Sequence, residues 1–253
     1  MILLNALDWI AKRATFMLAA GVFAGIVWQP LANALAPWLE ALIVMNLSLS
    51  MVRIAPGALS KYLRRPVLIA IIFVFSMVLA PLFLWCGAEV IGVRGPIGAG
   101  LVFHALTTPI MSAPALCILF GLDAALALIV TVLSYALVPF TLPPMALWLL
   151  GIELDVSVIE LTWRLGRIVG ISFLIAYVVR RVLSRDFLEK QASRMDGLMV
   201  FGMVGVAVSI MSGLPDFAVS KPAFTAIVTA TTFAINILLQ VIAAMTFWKL
   251  GKK

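Results

Sequence analysis

An all-α bundle of transmembrane helices is the fold class this sequence predicts, and three observations predict it. The 253 residues are 64% hydrophobic and 11% charged, with a mean hydropathy of +1.17. A soluble domain has about 45–50% apolar residues and about 25% charged ones. The apolar residues also fall into runs near the length of ~20 that crosses a bilayer. Eight spans are expected, at 14–34, 38–54, 66–90, 95–120, 124–150, 162–183, 197–213 and 222–248. Finally, the basic residues segregate. With the N-terminus inside, fourteen fall on the cytoplasmic side: Lys12, Arg13, Arg53, Lys61, Arg64, Arg65, Arg180, Arg181, Arg185, Lys190, Arg194, Lys249, Lys252 and Lys253. Four fall outside, namely Arg94, Arg164, Arg167 and Lys221. This is the positive-inside pattern, and it calls for an even number of spans with both termini cytoplasmic.

The same charges exclude other classes. A net charge of +7 can signal nucleic acid, but here it sits in short loops beside apolar runs. Met1 to Ile10 carries Asp8 and no basic n-region, so no cleavable signal peptide is expected. The longest polar stretch is Arg180 to Asp196, so residues 1–253 are expected to form a single membrane domain.

Each element follows in order. The first span opens after Lys12-Arg13 and contains Gly21-x-x-x-Gly25, a spacing that lets helices approach closely. The second is short. The loop after it carries Arg53, Lys61, Arg64 and Arg65, which set topology and touch anionic head groups. The third span holds Ser76 ahead of Pro81. The fifth holds Thr131 and Ser134 and starts after Asp123, which is placed to cap it. The sixth contains Gly166-x-x-x-Gly170. The seventh is short, and the eighth carries Asn236 and Gln240 on one face, suited to interhelical hydrogen bonds.

The two glycine pairs suggest an inverted repeat of five spans, since the first span runs outward and the sixth inward. Residues 14–150 then form one complete five-span unit, and 162–248 an incomplete second with three spans. The partner of span four would be a ninth span that the chain does not contain.

Span four is the most informative. Thr107-Thr108-Pro109-Ile110-Met111-Ser112-Ala113-Pro114 interrupts an apolar run from Gly95 to Phe120. Each proline removes a backbone donor and clashes with the preceding turn. Unpaired backbone inside a bilayer needs protein or a water-filled cavity to receive it. Secondary transporters build solute sites at such broken helices. Thr107, Thr108, Met111 and Ser112 are therefore the first candidates for solute contact, with His104 one turn before the break. An ionisable residue within a span is a functional candidate by default, and histidine can exchange a proton near neutral pH. The competing reading is a proline-kinked helix with hydroxyls bonded back to their own carbonyls.

No catalytic arrangement is present: no nucleophile elbow, no H-E-x-x-H and no phosphate-binding glycine loop. The chain is not expected to be an enzyme, and no cofactor is expected. Cys86 and Cys117 lie in apolar runs without a Cys/His cluster. They read as small buried hydrophobes rather than metal ligands.

The stretch from Thr107 to Pro114, the turn Gly121-Leu122-Asp123 followed by Ala124 to Leu128, and the prolines from Pro139 to Pro143 resemble spans four and five of the bile acid:sodium symporter family. The resemblance is good over about residues 95–150 and looser elsewhere, where Arg65-Pro66 opens span three. It implies ten spans in two inverted repeats, a core and a panel, and broken spans four and nine crossing at the binding site. It also implies sodium ligands, and here the chain departs from the family. Ser112-Ala113-Pro114 stands where the family has a Ser-Asn pair, Ala127 where it has a serine, and Ser76 where it has a glutamine. Thr131 is retained. The ligands from span nine have no counterpart. Sodium thus remains a coupling ion that the resemblance allows but most of whose ligands are absent, with Thr131, Ser76 and Ala113 as weak ion-site candidates.

The function this implies is a secondary transporter-like protein of the inner (plasma) membrane of a bacterium, moving a small organic anion, with ion coupling as an option the resemblance allows. The alternative is a C-terminally shortened, non-transporting protein, or a subunit that needs a partner chain. A missing ninth span also favours a homodimer. An arsenite-type or auxin-type efflux carrier is a further reading, against which stands Cys117, lying beyond the break rather than at it.

Overall fold

The computed structural model describes residues 2–53, 66–92, 95–106, 124–150 and 157–251. Among them every element is helical. We label α1 Ile2–Lys12, α2 Ala14–Val27, α3 Gln29–Leu35 and α4 Leu39–Arg53; α5 Pro66–Val74, α6 Ala80–Ile91, α7 Gly95–Leu106 and α8 Ala124–Leu150; then α9 Val158–Val182, α10 Arg185–Lys190, α11 Ala192–Ile210, α12 Leu214–Ser220 and α13 Pro222–Gly251.

Four stretches are long and apolar enough to cross a membrane: Gln29–Arg53, Ile69–Val90, Ile129–Leu149 and Ala192–Ser220. A fifth passes if α1 and α2, bent by 93° at Arg13, count together. Ile97–Leu106 and Pro222–Leu238 are apolar but shorter, and α9, with Arg164 and Arg167 in its first half, is not among the four.

The first expected span is two helices rather than one. Pro30 cannot donate to Ile26, and its ring crowds that carbonyl. The chain therefore breaks at Trp28 (φ −113°, ψ 73°). The Gln29 amide repairs the break. Its Nε2 donates to the Gly25 carbonyl at 2.7 Å and lies 3.3 Å from that of Ile26. The same nitrogen is 3.2 Å from the Met211 carbonyl, and Oε1 accepts from the Gly213 N–H at 3.0 Å. One side chain thus joins the α2–α3 break to the turn after α11, where Gly213 takes φ +72°.

Two groups of helices result. In the first, α11 packs against α1, α2, α3 and α4, and α4 also packs against α9. Small residues permit this. Gly25 leaves no room for a side chain: a Cβ there would meet Met211 Cβ at 2.8 Å and Val208 Cα at 3.0 Å. Gly197 lies directly on the Leu7 carbonyl of α1. Leu47, Met51, Val52 and Ala176 form the apolar centre of this group. Polar seams run through it, with Ser172 Oγ bonded to Ile168 O at 2.8 Å and reaching Val44 O of α4 at 3.3 Å. At one end Glu40 holds Arg164 (2.6 Å) and Arg167 (3.6 Å); at the other Arg53 meets Asp196 at 3.2 Å.

The second group is α5 to α8. Val102, Leu106, Ala146 and Leu149 are its buried centre, with Leu82, Trp85 and Leu142 packed around them. Between α5 and α6 residues 75–79 form a π turn. Pro81 explains it: its ring would clash with the Met77 carbonyl of a regular helix. The turn widens instead, and the Ala80 N–H bonds to Phe75 O, five residues back. Among the described residues, α8 against α9 is the principal contact between the two groups.

Two expectations need correction. Gly166 and Gly170 do not mediate close packing, since a Cβ at either would meet nothing within 4 Å. The side of α9 that faces α4 is instead marked by buried Ser172 and Ala176. Cys86, expected to be buried, is exposed and free on α6. The helix turns its apolar residues outward as well as inward, so hydrophobicity alone does not choose the buried side.

Candidate functional site

The residues ranked first for solute contact, Thr107, Thr108, Met111 and Ser112, lie outside the described residues. So do Ala113, Pro109, Pro114, Cys117 and Asp123. The remaining candidates are His104, Ser76, Thr131, Ser134, Asn236 and Gln240.

His104 is half-buried in the last described turn of α7, two residues before Leu106. Its Nε2 lies 3.0 Å from Nδ2 of Asn236 on α13. An amide nitrogen only donates, so in this pairing Nε2 is the acceptor. Asn236 Nδ2 also reaches Thr232 O at 3.1 Å. The expected interhelical role of Asn236 is therefore present, and its partner is the one histidine of the chain. Gln240, one turn on, is exposed.

Thr131 and Ser134 share the buried side of α8, at 1% and 0% exposure. Their spacing of three puts them on one face. Thr131 Oγ1 donates to Ala127 O at 2.8 Å. Its lone pairs stay available as acceptors. Ser134 Oγ has no hydrogen-bond partner among the described residues. A buried hydroxyl without a partner costs about 1–3 kcal/mol, and Ser134 is accordingly a second polar group to be met by a ligand or water. Ser76 lies in the π turn, where Oγ donates to Ile72 O at 2.8 Å and approaches Phe73 O at 3.3 Å. π turns inside α-helices occur frequently at functional sites.

The structure thus gathers Ser76, His104, Thr131 and Ser134 in the second group. Asn236 reaches that group from α13. Among the described residues no cluster of three His, Cys, Asp or Glu side chains could hold a metal ion. Ser76 and Thr131 bond back to carbonyls of their own helices, and His104 with Asn236 is the side-chain pair that joins two helices here.

Two polar residues were missed. Gln29 acts as the splice described above. Asn46 is 4% exposed in α4, with Nδ2 on Leu42 O at 2.9 Å and Oδ1 without a partner among the described residues. It sits against Gly202 of α11. The signal was available, since an amide in an apolar run is expected to face a neighbouring helix. No family model matches this chain, and no curated protein matches it.

Proposed function

We propose that the protein is a secondary transporter-like membrane protein that moves a small organic anion, by rocking the group α5–α8 against the group containing α2–α4, α9 and α11. One observation carries the reading. The described helices pack as two groups, each around its own apolar cluster, with α8 on α9 as the principal line of contact. Ser76, His104, Thr131 and Ser134 all belong to one of the two, and Asn236 reaches it from α13. Alternating access works by such rigid-body motion of one bundle against another.

Pairing within the first group supports an inverted repeat. Exchanging spans one with six and two with seven turns the α2–α11 contact into the α9–α4 contact, and both are made. On this reading the eight spans stand in the inner membrane of a bacterium with both termini cytoplasmic. Thr107, Thr108, Met111, Ser112 and His104 contact the solute. Thr131, Ser76 and the Ala113 carbonyl are the residues available to an ion such as sodium.

The test is uptake of radiolabelled taurocholate and of a short-chain carboxylate into proteoliposomes, with and without an inward sodium gradient. The wild type accumulates one of them. The double substitution Pro109→Ala, Pro114→Ala restores the missing donors, heals the helix and abolishes uptake, while the protein still inserts. Unchanged uptake in that variant sinks the site assignment, and absence of uptake for every organic anion tried sinks the transporter reading.

A further inference from the structure

Where α4 and α9 finish, three arginines from different elements line one cavity of about 260 Å³. Arg53 ends α4, Arg180 lies in the last turn of α9 and Arg185 opens α10. Val52, Leu188 and Met195 form an apolar wall beside them.

The charges there do not balance. Arg53 has Asp196 at 3.2 Å, and Arg185 has Glu189 at 2.8 Å. Arg180 has no carboxylate among the described residues. Its Nε donates to the Val52 carbonyl at 3.2 Å, which fixes the guanidinium plane. Its two terminal nitrogens have no partner among the described residues. Ala192, the first residue of α11, also lines the cavity, and Gln191 before it makes no side-chain cap bond. The first amides of that helix offset the partial negative charge that the last carbonyls of α4 and α9 bring to the same place.

An anchored, unpaired guanidinium suits a phosphate oxygen pair, which it binds through two parallel N–H donors. One surplus positive charge matches a singly charged phosphate diester. The apolar wall, and the position at the ends of two apolar helices, suit a ligand with hydrocarbon attached. Basic pockets between helices at a membrane face bind lipid head groups in this way.

We propose that this cavity binds the phosphate diester of an anionic phospholipid, with Arg180 as the recognising residue. This goes beyond the transport reading and is tested without any transport assay. The thermal midpoint of the purified full-length protein in neutral detergent is followed against added phosphatidylglycerol, phosphatidylcholine or inorganic phosphate. Phosphatidylglycerol raises the midpoint saturably. Phosphatidylcholine, whose phosphate is neutralised by its own choline, does not, and neither does inorganic phosphate. Arg180→Gln weakens the apparent affinity for phosphatidylglycerol about fivefold or more. Arg13→Gln removes the same charge from a residue outside the cavity and keeps the wild-type affinity.

Equal loss in both variants reduces the effect to general surface charge and overturns the site. Equal stabilisation by inorganic phosphate overturns the lipid assignment, and no dependence on phosphatidylglycerol overturns the whole proposal. Should Arg180→Gln not purify, Arg180→Lys, which keeps the charge but loses the paired N–H donors, carries the same test: weakened phosphatidylglycerol binding supports the site and wild-type affinity overturns it.

Discussion

At the scale of single residues, packing in the first group depends on which glycines touch a neighbour. Gly25 and Gly170 occupy the last positions of two identical-looking motifs, yet only Gly25 faces another helix closely, with Met211 and Val208 against it. Gly25→Ala should therefore lower stability by about 1–3 kcal/mol, the usual cost of forcing a methyl into a packed contact. Gly170→Ala should be neutral or stabilising by up to ~1 kcal/mol, since alanine is the better helix former. Unfolding of both variants in detergent checks the pair, and an equal loss in both would mean that the α9 glycines are packed after all. The His104–Asn236 bond is of the same scale but a different kind. It is the polar contact that ties α13 to the helix preceding the threonine-proline segment.

At the scale of elements, the π turn between α5 and α6 is the departure that matters most for the site. It inserts one extra residue into a continuous helix, and one residue is about 100° of rotation. Everything before the turn is aimed differently from a regular helix, and Ser76 sits within the turn itself. Pro81→Ala supplies the missing N–H and removes the ring, so the turn should close into an α-helix. Hydrogen exchange at residues 76–80 should then slow relative to the wild type, and solute binding should fall. Unchanged exchange would show that packing, rather than the proline, holds the wide turn open.

At the scale of the whole molecule, the question is how many helices cross the bilayer and in which direction. The crossing of α9 decides between an eight-span chain and a shorter arrangement, because this helix carries Arg164 and Arg167. Ser157 precedes it and Ser184 follows it, both exposed. In a background with Cys86→Ser and Cys117→Ser, Ser184→Cys should react with an impermeant thiol reagent only after the cytoplasmic face is opened. Ser157→Cys should react from outside in intact cells. Labelling of both from one side would remove α9 from the spans and the inverted repeat with it. The ion pairs of Glu40 with Arg164 and Arg167 suit this crossing, since they neutralise arginines at the end of the helix placed outside.

By itself the sequence determined that the protein is helical with membrane-span-like helices, although of the eight spans expected four to five are long and apolar enough to cross among the described residues. The run at 66–90 matches α5 through α6, 124–150 matches α8, and 222–248 falls within α13. Composition suffices for that, because a bilayer requires long apolar segments with every backbone group bonded internally. The expected cap, Asp123, lies outside the described residues, and Ser157, which accepts from the Glu160 N–H at 3.1 Å, went unread. What only the tertiary structure decided is which side of each helix is used. In lipid both sides are apolar, so periodicity does not separate the packed face from the exposed one. Gly166 and Gly170 therefore looked equivalent to Gly21 and Gly25, and Cys86 looked buried. The same blindness hid the meeting of His104 with Asn236 and of Arg53, Arg180 and Arg185. His104 is far along the chain from Asn236, as Arg53 is from Arg180 and Arg185, and only helix packing brings them together.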